Sequence, residues 1–179
     1  LFEIERQRLA LMDHHSIARI IDGGNCADGR PYMVMEYIDG EPIVQHVNNY
    51  KLNLKQRLKL FIAVCEAVAH AHSKLILHRD IKSQNVLIAG DGSPRLIDFG
   101  IASNISVVQG ITVALTLASA APEQLKGESV SMQTDIFAMG ALLHEMLTGT
   151  RPRRLSNGGM LSDESAISEI DLRAIITCA

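Results

Sequence analysis

"HRDIKSQN" at residues 78–85, followed by "DFG" at 98–100, decides the reading of this chain. One short stretch gathers a histidine, an arginine, an aspartate, a lysine and an asparagine, and a second aspartate, Asp98, lies beyond a short hairpin. This set suits phosphoryl transfer, a reaction that needs positioned charge more than covalent chemistry. Asp80 is the residue type that accepts the proton of an attacking hydroxyl. Lys82, two residues on, points the same way along an extended segment and reaches a transferred phosphate. Asn85 offers a neutral oxygen to Mg2+, and Asp98 a hard anionic one.

Outward from these motifs the chain alternates short strands and longer helices. "NVLIAG" (85–90) and "PRLIDFG" (94–100) read as strands joined by the turn "GDGS", so that both aspartates sit on turns beside neighbouring strands. "LILH" (75–78) reads as a further short strand. A helix is predicted over 54–74, with Leu54, Leu58, Phe61, Ile62, Cys65, Val68 and Ala69 on one stripe. Upstream, "SIARIID" (16–22) and "RPYMVMEYI" (30–38) form an antiparallel pair turned at Asp28-Gly29, and residues 2–12 carry an amphipathic helix pattern. "DGEP" (39–42) reads as a turn. Residues 101–121 have no firm period and read as a long loop. "TDIFAMGALLHEMLT" (134–148) is a buried helix ended by Gly149 and Pro152, and 165–179 form a last partial helix.

Composition narrows the class. With 47% hydrophobic and 21% charged residues and a formal charge of −3, the chain is one soluble globular domain or part of one, without a nucleic-acid footprint spread over its surface. Three cysteines, odd in number and widely spaced, suggest neither a disulfide framework nor a zinc site, and fit a reducing cytosol. The most apolar helical stretch is interrupted by Lys59, Glu66 and His70, which would be costly in a bilayer, so no membrane contact is expected from this segment. Arg151, Arg153 and Arg154 read as a solvated loop. No initiator methionine and no basic-then-apolar leader are present, so the sequence reads as a piece of a longer chain.

"HRDIKSQN", "DFG", "APE" (121–123) and "DIFAMG" (135–140) stand in the order found in the eukaryotic-type protein kinases, and the chain resembles that family along its whole length. The texture of "RPYMVMEYIDGEP" and "APEQLKGE" is similar to the bacterial serine/threonine branch. The resemblance implies an α+β, protein-kinase-like bilobal fold, truncated here. Residues 1–38 would be a partial N-lobe of one helix plus a β-hairpin, and 39–179 a mostly helical C-lobe lacking its last helices. It implies cytosolic transfer of the γ-phosphate of ATP, with Mg2+, to serine and threonine hydroxyls of a protein substrate. The parent chain is free to carry a transmembrane or sensor region.

By likeness, Asp80 is the catalytic base, Lys82 the phosphate-contacting lysine, and Asn85 and Asp98 the Mg2+ ligands. Glu5 matches the helix glutamate that pairs with the ATP-anchoring lysine. Met35 guards the back of the nucleotide pocket, the backbone of Glu36 and Ile38 meets the adenine, and Leu87 lies beneath it. His78, Phe99 and Leu9 stack as a spine. Arg79 goes with control by phosphorylation, expected at Ser103, Ser106 or Thr112, with Thr116 hydrogen-bonding near Asp80.

The chain also departs from the family. The glycine-rich loop and strand lysine would lie upstream of the first helix and are not among these residues, where the first lysine is Lys51. The late helices that would give Glu123 an arginine partner are missing too, so Glu123 is expected without one. Ser83 stands where proline is common, and Ser119 where an aromatic residue is common. The segment alone is therefore expected to transfer negligible phosphate, while its parent is active. The alternative is a pseudokinase or scaffold that binds partners without chemistry, against which the intact Asp80, Lys82, Asn85 and Asp98 speak.

Overall fold

The computed structural model describes residues 12–99, 120–154 and 160–161. Residues 2–11 of the first expected helix, 101–119 of the loop expected over 101–121, and the final helix lie outside these residues. A hairpin opens the described chain, with β1 (Ile20–Asn25) antiparallel to β2 (Pro31–Met35) and Gly23 opposite Met33. It turns as Asp28-Gly29 predicted: Gly29 has φ +82° and donates its N–H to the Cys26 carbonyl. The first strand starts later than expected, because the run from Ser16 is shared between two sheets. Ile17 bridges Leu96, the Ala18 N–H donates to the Leu96 carbonyl at 2.9 Å, and the Leu96 N–H donates to the Ser16 carbonyl at 2.8 Å.

The second sheet holds β3 (Gly40–Pro42), β4 (Val86–Ala89) and β5 (Pro94–Leu96), antiparallel in that order. β3 corrects the reading of "DGEP" as a turn: these residues extend to pair with β4, Gly40 facing Ala89. "LILH" is not a strand. Leu75 takes φ +59° and closes the preceding helix, its N–H donating to the His72 carbonyl and the Ile76 N–H to the Ala71 carbonyl. This is a Schellman closure with leucine in the place usually held by glycine, so helix-end chemistry overrides the strand propensity of the segment.

α1 (Ile43–Asn49) was not legible as a helix; Ile43 and Val47, one turn apart, are wholly buried and hold it down. α2 (Leu54–Ser73) begins with a capping box in which the Gln56 N–H donates to Asn53 Oδ1 and the Asn53 N–H to Gln56 Oε1. Its buried stripe is Val64, Ala67, Val68 and Ala71, rotated from the expected one, and Ile62 is 52% exposed. Arg57 accounts for the rotation, since its guanidinium faces inward and donates to the carbonyls of Leu52 and Met146. α3 (Pro122–Lys126) is short, and α4 (Met132–Thr148) ends at Gly149, φ +75°. Past it, β6 (Arg153–Arg154) pairs with β7 (Met160–Leu161), so that part of the arginine cluster is in strand.

α4 packs against α2 and α1, with Leu142 and Met146 wholly buried, each such side chain contributing about 1.5–3 kcal/mol. No helix among the described residues is long and apolar enough to cross a membrane, and Cys26 and Cys65 are unpaired. A Cβ placed on Gly40 would run into the backbone carbonyl of Ile88, whereas one on Gly90 would meet nothing within 4 Å. Gly40→Ala is therefore expected to cost about 1–3 kcal/mol, seen as a lower urea midpoint at unchanged slope, and Gly90→Ala to leave the midpoint within about 0.5 kcal/mol of wild type.

Candidate active site

The loop between α2 and β4 is held from below by one carboxylate. Asp135, on the first turns of α4, is 1% exposed and accepts the backbone N–H of His78 at 2.9 Å, the backbone N–H of Arg79 at 2.8 Å and His72 Nε2 at 2.7 Å. A charge this deep is tolerable only when its lone pairs are filled. Arg79 adopts φ +69°, a left-handed conformation costing an arginine about 1–2 kcal/mol, and the paired N–H groups taken by Asp135 stabilise that turn. The Arg79 carbonyl in turn accepts Gln124 Nε2 at 2.7 Å, which ties α3 to the loop.

Above this anchor three predicted site residues meet. Lys82 Nζ donates to Asp80 Oδ2 at 2.6 Å, and Asn85 Nδ2 donates to the Asp80 carbonyl at 2.8 Å and to Oδ2 at 3.1 Å. The same-side placement of Asp80 and Lys82 follows from the extended backbone at Lys82. The buried Asn85 side chain spends its amide nitrogen on Asp80, and its amide oxygen is a hard donor of the type suited to Mg2+. The second aspartate is joined through the backbone: the Ile97 N–H donates to the Asn85 carbonyl at 2.9 Å, and Asp98 follows with φ +57° and an exposed side chain.

His78 is buried and stacks on Phe99 with ring centroids 4.6 Å apart, as expected for two of the three spine residues; Leu9 lies outside the described residues, as do Glu5, Ser103, Ser106, Thr112, Thr116 and Ser119. Its Nδ1 faces the Asp80 N–H at 3.3 Å, so Nε2 carries the proton donated to the Ile97 carbonyl at 2.9 Å. Leu87 is half-buried in β4, opposite Pro42 and Arg95. Met35 ends β2 opposite Ile20, and the Glu36 N–H donates to the Arg19 carbonyl while Glu36 Oε1 accepts the Arg19 N–H. These residues and Ile38 lead directly into β3, which pairs with β4 and so runs into the sheet carrying Leu87.

The sequence reading missed what Asp135, Gln124 and Glu145 do, because each acts on a loop far away in the chain. Glu123, for which no arginine partner was expected, accepts the Thr134 hydroxyl on Oε1 at 2.6 Å. Asp135→Ala orphans two backbone N–H groups and is expected to lower stability by about 2–6 kcal/mol in urea unfolding, with Asp135→Asn less damaging because it keeps an acceptor. Burial holds the His78 imidazole below its ordinary 6.5, against the opposing pull of Asp135, the Ile97 carbonyl, Asp80 and Asp98. His14 is lowered too, by burial and by His15 and His70. The unfolded chain then takes up protons that the folded one refuses, so this stability is complete above pH 6.5 and is lost as pH falls below it. The melting temperature should fall as pH drops through that value, and less steeply in His78→Phe.

Comparison with known proteins agrees with this geometry. The protein kinase domain family matches residues 2–175. The probable serine/threonine-protein kinase PknB of Lactococcus lactis is 36% identical over 155 residues, covering 84% of this chain and 25% of that one. PknB of Mycobacterium leprae is 34% identical over 160 residues (84% and 26%), and PrkC of Bacillus subtilis 36% identical over 155 residues (84% and 24%). The chain thus spans about a quarter of the length of these relatives. A crystal structure of Rad53 residues 1–466 in complex with AMP-PNP superposes with a TM-score of 0.69 at 28% identity, covering 87% of this chain and 39% of that one. With its "HRDIKSQN" loop held over Asp135 and its sequence matched over residues 2–175, the chain belongs to the protein kinase family, in the company of bacterial serine/threonine kinases.

Proposed function

We propose that a full-length protein carrying these residues transfers the γ-phosphate of ATP to serine or threonine hydroxyls of protein substrates, in the cytosol. The observation that carries this reading is the division of labour on one carboxylate: Asp80 Oδ2 holds both Lys82 Nζ and Asn85 Nδ2, which leaves Oδ1 to take the proton of an incoming hydroxyl. The hydroxyl oxygen then forms a bond to the γ-phosphorus as the bond to the β,γ-bridging oxygen breaks, and the proton passes to Asp80. Lys82 stands beside that oxygen to offset charge on the transferred group. Mg2+, when bound, neutralises phosphate charge, and Asn85 and Asp98 would hold it. The fit rests on the chemistry of the donors, an Asn85 amide whose nitrogen is bound to Asp80 and the exposed Asp98 carboxylate.

In the same reading residues 1–38 belong to the N-lobe and 39–179 to the C-lobe. Met35 lines the back of the nucleotide pocket and Leu87 its floor. The Glu36 N–H is already spent on Arg19, so its carbonyl is the group to face the adenine, with the Ile38 backbone beside it. Glu5 pairs with an ATP-anchoring lysine, and phosphate on Ser103, Ser106 or Thr112 would order the activation segment against Arg79. The names of the relatives support serine and threonine as acceptors, and the AMP-PNP held by Rad53 supports a nucleoside triphosphate donor.

The test is γ-32P transfer from ATP to a casein substrate by the full-length protein. Asp80→Asn is expected to lower kcat by about 10²–10⁴-fold with ATP affinity unchanged. A wild-type protein that binds ATP and transfers nothing, to casein or to itself, would instead establish the scaffold alternative.

A further inference from the structure

Ser83 opens a 3₁₀ turn, Ser83–Asn85, and is 3% exposed. Its hydroxyl donates to Glu145 Oε1 at 3.2 Å, and the longer approach to Gln84 Oε1, at 3.4 Å, is the weaker of its two contacts. Glu145 lies near the C-terminal end of α4 with its side chain 15% exposed, and the same oxygen takes Arg151 Nε at 3.3 Å. This carboxylate thus has one donor from the catalytic loop and one cation from beyond the helix. Beside it lies a small cleft with room for about one water, lined by Ile81, Lys82, Leu142, Glu145, Arg151 and Pro152 among others. Ile81 and Leu142 pack the apolar part of this contact, and the Ser83–Glu145 bond adds a polar link between loop and helix.

We propose that Ser83 and Glu145 are positioning residues for the phosphotransfer site, forming a second grip of α4 on the catalytic loop. Asp135 holds the loop's entry at His78 and Arg79, and Glu145 holds its exit at Ser83. The two carboxylates stand about 15 Å apart along the helix axis at 1.5 Å per residue. Asp80 and Lys82 lie between the grips, and Asn85 belongs to the turn that Ser83 begins. Releasing Ser83 loosens that turn and with it the Asn85 amide, whose nitrogen is fixed on Asp80 and whose oxygen is the metal donor proposed above. This inference rests on the roles proposed above for Asp80 and Asn85. It predicts an effect on turnover and on the Mg2+ requirement, with the KM values for ATP and protein substrate unchanged.

The full-length protein tests it. Ser83→Ala and Glu145→Gln should each lower kcat about 10-fold and raise the Mg2+ concentration for half-maximal rate, as losses of groups that orient a metal ligand do. The double variant should be little worse than either single one, because both remove one link. Ser83→Pro supplies the discriminating background. Proline is preorganised for the first position of a helical turn, and Lys82 before it is already extended at φ −158° and ψ 164°, as a residue preceding proline must be. With the turn fixed covalently, Glu145→Gln should lose most of its effect. The side-chain amide resonance of Asn85 in 1H–15N spectra gives a readout independent of transfer. It should shift in Ser83→Ala and Glu145→Gln and stay near its own position when Glu145→Gln is added to Ser83→Pro. Unchanged kcat, Mg2+ dependence and Asn85 resonance in both single variants would overturn the proposal, as would full damage from Glu145→Gln in the proline background. An inactive wild type would instead count against the catalytic reading, and the Asn85 resonance would still decide the Ser83–Glu145 link.

Discussion

A buried carboxylate under a bent loop is the constraint on which the site depends. Asp135 would be expensive at its depth if left unfilled, and the donors that fill it are the two consecutive backbone N–H groups of His78 and Arg79 together with the His72 ring. Consecutive N–H groups converge on one carboxylate only where the backbone is bent, which the positive φ of Arg79 provides. The strain and the charge therefore stabilise one another, and neither would persist alone. The result is a loop whose direction is set by the helix beneath it.

From that anchor order spreads in two directions. Toward β5, neutral His78 hands its Nε2 proton to the Ile97 carbonyl and stacks on Phe99, so the "DFG" segment takes its position from the same loop that holds Asp80. Toward β4, the network of Lys82 and Asn85 on Asp80 fixes which carboxylate oxygen stays open, and the Ile97 N–H on the Asn85 carbonyl ties the two aspartate-bearing segments together by backbone. Geometry of this kind is mostly backbone and short polar side chains, which lose little rotamer freedom on ordering.

The helix that supplies the anchor is itself held at both ends. Its N-terminus takes a capping box at Ser131 with Thr134, and Thr134 also donates to Glu123 of α3. At its C-terminus Arg57 of α2 donates to the last-turn carbonyls of Met146 and Leu147, while Gly149 turns the chain away. A half-buried charged side chain turned inward for that purpose accounts for the rotation of α2, and Ile62 faces solvent although its hydrophobicity pointed inward.

The order of four short motifs was enough to name the family, because a loop of this kind gathers its characteristic residues at close spacing in one stretch of chain. Local rules also gave the Asp28-Gly29 turn, the span of α2 and the end of α4, each decided by residues within a few positions of one another. Tertiary structure alone decided that "DGEP" pairs as a strand, that residues 43–49 are held as a helix and that Asp135 and Glu145 hold the loop, whereas the closure at "LILH" is made by the end of its own helix. The first three depend on partners distant in sequence, as β3 does on β4 and Asp135 on His78. Propensity acts over neighbours along the chain, whereas a strand partner or the filling of a buried carboxylate exists only after distant segments have met.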